Sequence, residues 1–117
     1  AQRGDILDLC MTMALQLGPE VFVSQSEALA TRPDQQDSLK QVTVPSLILC
    51  GKEDRLCPLD RHVLLAQLIS GARLEIIDGA GHLPTLEQPE ATNTALRIWL
   101  DGAKSVPPLP PKEIEHV

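Results

Sequence analysis

Residues 78–90 read Asp-Gly-Ala-Gly-His-Leu-Pro-Thr-Leu-Glu-Gln-Pro-Glu and place one imidazole, His82, on a glycine-rich turn just past an apolar run. An imidazole exchanges protons near neutral pH, and it does so in a directed way when one ring nitrogen is held and the other is left free. The natural group to hold it is a carboxylate, which accepts from one nitrogen and fixes the tautomer, so that the other can take a proton from a nucleophile. Asp54, in Gly51-Lys52-Glu53-Asp54, is the candidate for that acid. Glu53 and Asp60 are its rivals; Glu53 reads as solvent-facing and Asp60 as the cap of a following helix. Cys57 shares the loop with Asp54 and reads as a small apolar filler, although a cysteine within reach of His82 and with a lowered pKa would be a nucleophile. His62, inside a helical pattern beside Arg61, reads as a solvated surface residue, and His116 lies in the tail.

The elements that must position Asp54 and His82 follow from periodicity. Val44-Pro45-Ser46-Leu47-Ile48-Leu49-Cys50-Gly51 is a short continuous apolar run bounded by Pro and Gly, the pattern of a strand buried on both faces of a parallel sheet. A polar loop, 52–58, leads into a helix over 59–70 with Leu59, Val63, Leu64, Leu68 and Ile69 inward, ended by Gly71. Residues 73–77, Arg-Leu-Glu-Ile-Ile, alternate as an outer strand with one exposed face would. Pro89 starts a last helix through about Leu100, with Ala91, Ala95, Ile98 and Trp99 as its buried face. Strand, helix, strand implies a parallel pair with a crossover, so Asp54, four residues past Cys50, and His82, five past Ile77, emerge on the same rim of the sheet. Open α/β sheets place their ligand sites there. Upstream, 5–17 and 19–32 read as two amphipathic helices separated by Gly18-Pro19, and Asp34 caps a short helix over 35–42. The expected organisation is a helical segment over 1–34, an α/β segment over 35–102 and a Pro-rich tail over 103–117.

VPSLILCGKEDRLCP followed by ARLEIIDGAGHLPTLEQPEATNTALRIWL resembles the last third of an α/β-hydrolase-fold enzyme. In that family the triad runs nucleophile, acid, histidine along the chain. The resemblance makes Asp54, in its Gly-x-x-Asp context, the triad acid, and His82, in its Gly-His context before Glu87-Gln88-Pro89, the general base. It makes the helices before residue 34 part of the cap over the substrate. It implies hydrolysis of an ester, amide or activated C–C bond of a small apolar substrate, with no cofactor and no metal. The family's nucleophile sits in a G-x-S-x-G-like elbow beside the oxyanion hole. Ser24, Ser26, Ser38, Ser46, Ser70 and Ser105 all lack flanking glycines at the required positions. The nucleophile, whether Ser, Asp or Cys, and the earlier strands are therefore expected from an upstream segment, the isolated chain being inactive. The alternative is a truncated, non-catalytic relative that binds a partner or itself.

Composition narrows the partners. A net charge of −6 argues against a nucleic-acid phosphate backbone or an anionic membrane surface. Phe22 and Trp99 are the whole aromatic content, too thin for stacking on single strands or sugars. No run reads as long and apolar enough to span a bilayer, and no signal peptide is evident. Cys10, Cys50 and Cys57 follow no metal-ligand spacing and read as free thiols in a reducing compartment, which places the protein in the cytoplasm. Strand 46–50 is left with an uncovered apolar edge, to be met by the strands of a longer hydrolase, by a second copy, most simply as a two-fold homodimer, or by the cap helices folded over it. The tail carries PxxP-like spacing and reads as a linker.

Overall fold

The computed structural model describes residues 3–105, and the chain divides after Gln35 into two compact units. The first unit is one helical element, α1 (Gly4–Thr31), whose backbone leaves helical geometry at Gly18, with φ 82° and ψ 172°, immediately before Pro19. Gly18 takes up the left-handed angle without a Cβ clash, and Pro19 restarts the helix with a φ that suits a first turn and an amide that needs no partner. The two helices expected around Gly18-Pro19 are thus the two arms of α1. Taken as one length, Gly4–Thr31 is long and apolar enough to cross a membrane, which corrects the expectation that no segment is. The break at Gly18 divides it into arms of roughly 20 Å each at 1.5 Å per residue, short of a hydrocarbon core of about 30 Å. None of its residues is buried, and Met11 and Met13 are exposed rather than packed in a core.

The second unit carries the α/β segment. After the short α2 (Gln36–Leu39) come β1 (Leu47–Gly51), α3 (Leu59–Leu68), β2 (Arg73–Ile77), α4 (Pro84–Glu87) and α5 (Pro89–Ser105). The strands pair in parallel with Leu47 opposite Arg73 and Gly51 opposite Ile77, so both end at the same level. Beyond the ladder, Lys52 N donates to the Ile77 carbonyl and Glu53 N to the Ala80 carbonyl, each at 2.9 Å, and these two bonds bind the following loops to each other. Among the described residues the sheet has these two strands only.

The core is small and aliphatic: Ile48 and Cys50 from β1, Ile69 after α3, Ile77 from β2, Ala80, and Ala95 from α5. Strand β1 is shorter than the run 44–51, and the face carrying Leu47 and Leu49 is only half-buried, where burial on both faces was expected. Two strands and their helices offer too little to cover it. Ser46 still extends the ladder by accepting from Arg73 N at 3.0 Å. Helix α3 ends at Leu68, with the Ile69 amide bonded to the Leu65 carbonyl at 3.0 Å and Gly71 at φ 74° turning the chain into β2. Leu59 is more exposed than expected of an inward residue, and Asp60 lies inside the first turn of α3 rather than at its cap, which is Pro58. Helix α5 begins at Pro89 as expected but runs on through Ser105. Its buried face is Thr92 and Ala95, with Trp99 half-buried and donating to the Pro45 carbonyl at 3.3 Å; Ala91 and Ile98 are exposed. Thr92 was missed because a hydroxyl reads as polar, yet its Oγ1 donates to the Pro84 carbonyl at 3.0 Å and is satisfied inside. The Pro-rich stretch from residue 106 lies outside the described residues.

Gly51 is where the two strand ends meet most closely. A Cβ added there would collide with the carbonyl oxygens of Ala80 and Gly81 and lie 2.6 Å from the Ala80 carbonyl carbon. These are backbone atoms and cannot rotate away. Gly51→Ala should therefore destabilise the protein by about 1–3 kcal/mol, the usual range for overpacking. Gly102, on α5, meets nothing within 4 Å, and Gly102→Ala should stabilise by roughly 0.5–1 kcal/mol. Thermal melts of both variants check the pair; equal effects would remove the role assigned to Gly51.

Candidate active site

The rim beyond β1 and β2 brings Asp54 and His82 together. His82 Nδ1 lies 3.2 Å from Asp54 Oδ1 and 3.1 Å from Oδ2. The contact joins residues twenty-eight apart in the chain, and it exists because the parallel register sets both loops at one level.

The loop after β1 builds a seat for the acid. Asp54 Oδ1 accepts from the amides of Leu56 at 3.0 Å and Cys57 at 2.9 Å, while its own amide donates to the Gly51 carbonyl at 3.2 Å. Its side chain is 5% exposed. Burial alone pushes the carboxyl's pKa up, but the Cys57 amide, the His82 ring with its hydrogen bond and charge, and the Leu56 amide together hold it below the ordinary carboxylate value. An ionised Asp54 can only accept hydrogen bonds, so His82 Nδ1 carries the proton. A neutral His82 then has its lone pair on Nε2. With 46% of the side chain exposed, the imidazole is reachable by a reacting group.

The loop after β2 is fixed by Gly79 and Glu87. Gly79 has φ 72°, which few side chains would tolerate. Gly81, by contrast, is not in the left-handed region. Glu87, the last residue of α4, accepts at Oε2 from the amides of Gly81 at 3.1 Å and Leu83 at 3.0 Å, the residues on either side of His82. The carboxylate thus clamps the backbone that carries the imidazole. Sequence reasoning saw Glu87 only as part of a helix start and did not resolve α4. The available signal was an acid a few residues past a glycine turn, the spacing at which a carboxylate reaches back to free amides. The ion pair of Lys52 and Asp78 also joins the two loops, at 3.8 Å, but both side chains are mostly exposed and such pairs contribute little.

The rivals fall away on geometry. Glu53 and Asp60 are exposed, and neither has a bond to His82. His62 is half-buried and its Nδ1 donates to the Pro58 carbonyl at 3.2 Å, a contact within its own helix. Cys50 is buried, and burial together with the Asp54 charge pushes its thiol up, away from thiolate chemistry. Cys57 is exposed, which overturns its reading as an apolar filler. His116 lies outside the described residues.

Comparison with known proteins agrees with the fold. Residues 8–95 match the model of the alpha/beta hydrolase family. The chain is 33% identical over 81 residues to the bovine (Bos taurus) protein ABHD8, covering 62% of this chain and 19% of that protein. It is 32% identical over 84 residues to a putative carbamate hydrolase, RutD, of Caulobacter sp., covering 72% of this chain and 31% of that one. Among solved structures, a thermophilic esterase from Thermogutta terrifontis superposes with a TM-score of 0.61 at 38% identity, over 63% of this chain and 27% of the esterase. The rim site therefore stands in a partial α/β-hydrolase fold, two parallel strands with flanking helices. The chain belongs to the alpha/beta hydrolase family, and it spans about a fifth of the length of the first of these relatives.

The lowered pKa of Asp54 has a consequence for stability. A carboxyl whose folded pKa is depressed stabilises the fold at pH values above its unfolded value, about 3.9 for Asp. That contribution is lost as pH falls through the depressed value. Asp54→Asn should lower the melting temperature at neutral pH, and the gap from the wild type should close as pH drops below about 3.9. A gap that stays constant across that range would show that the charge of Asp54 is not what the seat stabilises.

Proposed function

We propose that Asp54 and His82 are the acid and the general base of a serine-hydrolase-like triad, and that this chain is the C-terminal part of the enzyme that uses them. The reaction is hydrolysis of an ester, amide or C–C bond in a small apolar substrate. The nucleophile and the oxyanion donors come from an upstream segment, which also supplies the remaining strands, and the segment 1–34 belongs to the cap. His82 takes the nucleophile's proton at Nε2 and passes it to the leaving group; Asp54 accepts from Nδ1 and stabilises the imidazolium that forms. No step calls for a cofactor. The observation that carries the reading is the bond from His82 Nδ1 to a buried Asp54 already seated by two amides. Membership in a hydrolase family and the small share of the relatives' length that the chain covers support it.

A second reading rests on the sheet. Among the described residues β1 pairs with β2 alone, so its other edge, on an apolar strand, is available to another chain. A truncated relative would use that edge to self-associate, as a two-fold dimer, rather than to complete an active site.

The test uses the native polypeptide and a panel of short-chain acyl esters. His82→Ala should lower kcat by roughly 10⁴-fold with the fold intact, the scale seen when a triad member is lost. Turnover retained in the variant would sink the assignment. An immunoblot of the native product separates the two readings: a band at twice this chain's length or more favours the enzyme, and a band near 12.7 kDa that elutes as a dimer favours the second.

A further inference from the structure

Cys57 takes no part in the proton relay, yet it lies beside it. Its Sγ, a carboxylate oxygen of Asp54 and a ring nitrogen of His82 all lie within 4.8 Å of one another. Among the described residues no other three His, Cys, Asp or Glu side chains come together in this way. The geometry points to a binding site for a borderline-soft divalent ion, zinc above all, formed by Asp54, Cys57 and His82.

The donor set selects the ion. One carboxylate oxygen, one imidazole nitrogen and one thiolate suit zinc or cobalt, whereas magnesium and calcium need oxygen ligands throughout. The spacing agrees as well. Oxygen and nitrogen ligands about 2.0–2.1 Å from a tetrahedral zinc lie roughly 3.4 Å apart, and a sulfur at about 2.3 Å lies slightly farther from each. His82 Nδ1 and Asp54 Oδ2 are already 3.1 Å apart. Cys57 Sγ lies within 4.8 Å of the other two ligand atoms, so it has at most about 1 Å to close to reach tetrahedral spacing. The other two ligands are held in place, Asp54 by the amides of Leu56 and Cys57, and the His82 backbone by the Glu87 clamp. Three protein ligands leave the fourth position to water. On binding, the Cys57 thiol proton leaves to solvent, and the imidazole proton moves from Nδ1 to Nε2.

The consequence for activity rests on the function proposed above; the binding does not. An imidazole whose Nδ1 is on the metal carries its proton on Nε2, where it can no longer accept one from a nucleophile. The ion is therefore an inhibitor of the relay rather than its cofactor.

Cobalt(II) alone, titrated into the reduced protein, is the probe. One equivalent should produce a thiolate-to-cobalt charge-transfer band in the near ultraviolet and the visible bands of a tetrahedral ion, and one equivalent of zinc should erase both. Cys57→Ser should abolish the charge-transfer band and weaken binding by roughly tenfold or more, with an unchanged far-ultraviolet circular dichroism spectrum. Cys10→Ser should leave the band intact. Absence of the band in the wild type, its survival in Cys57→Ser or its loss in Cys10→Ser would each overturn the site. Because the readout is spectroscopic, it stands even if His82→Ala keeps its turnover. In the native polypeptide, zinc should inhibit Cys57→Ser only at concentrations roughly tenfold or more above those that inhibit the wild type.

Discussion

The site depends on one constraint, the level at which the two parallel strands stop. Gly51 is opposite Ile77, and the next amides, of Lys52 and Glu53, reach across to carbonyls of the second loop. Those bonds require the two backbones to approach at a distance that leaves no room for a Cβ on Gly51. Everything catalytic in the proposal lies a few residues past that point. A slip of one residue in register would move every side chain of one strand to the opposite face and set the loops at different heights. Asp54 and His82 could not then share a hydrogen bond.

Within that frame the acid is held by backbone amides and the His82 ring, and the backbone that carries the imidazole is held by the Glu87 carboxylate. Asp54 is seated by Leu56 and Cys57, and the backbone on both sides of His82 is seated by Glu87. Amide donors in short loops are rigid and need no side-chain ordering, so they hold a carboxylate in one orientation at low entropic cost. Desolvation raises the pKa of the buried Asp54, but the Cys57 and Leu56 amides, together with the hydrogen bond and charge of His82, outweigh it and keep the pKa below the ordinary carboxylate value. The exposed pair Lys52–Asp78 spans the same gap, but water screens it and it cannot carry such a role. The same rigidity underlies the proposed metal site, since His82 Nδ1 and Asp54 Oδ2 are already near coordination spacing.

The core beneath the site is thin. Its buried apolar residues are Ile, Ala and Cys, with no aromatic among them. Among the described residues Thr92 and Asp54 are the buried polar ones, and the side chain of each is hydrogen-bonded. A two-stranded sheet is marginal by itself, and among the described residues β1 keeps a half-buried face and one unpaired edge. The open edge and the fraction of the relatives' length that the chain covers are what support the proposed upstream segment.

Periodicity and punctuation by themselves determined the strand, helix, strand and final helix from residue 44 onward, but not the short α4 between the last two. The strand over 73–77, the helix starting at Pro89 and the break at Gly18-Pro19 are local effects of alternation, proline and glycine, and such effects are written in neighbouring residues. The pairing of Asp54 with His82 was also legible, because parallel strands joined by one crossover must end on the same side. What only the tertiary structure decided involves residues distant in the chain or signals that cancel locally. Thr92 turned inward because a carbonyl of another element waits there. Glu87 became a clamp because α4 brings it back under the turn. Cys57 left the core for the rim, where it faces two ligands that no cysteine spacing in the sequence announces. Spacing along a chain records which residues are near in sequence; which side chains share a few ångströms of space is set by register and loop closure.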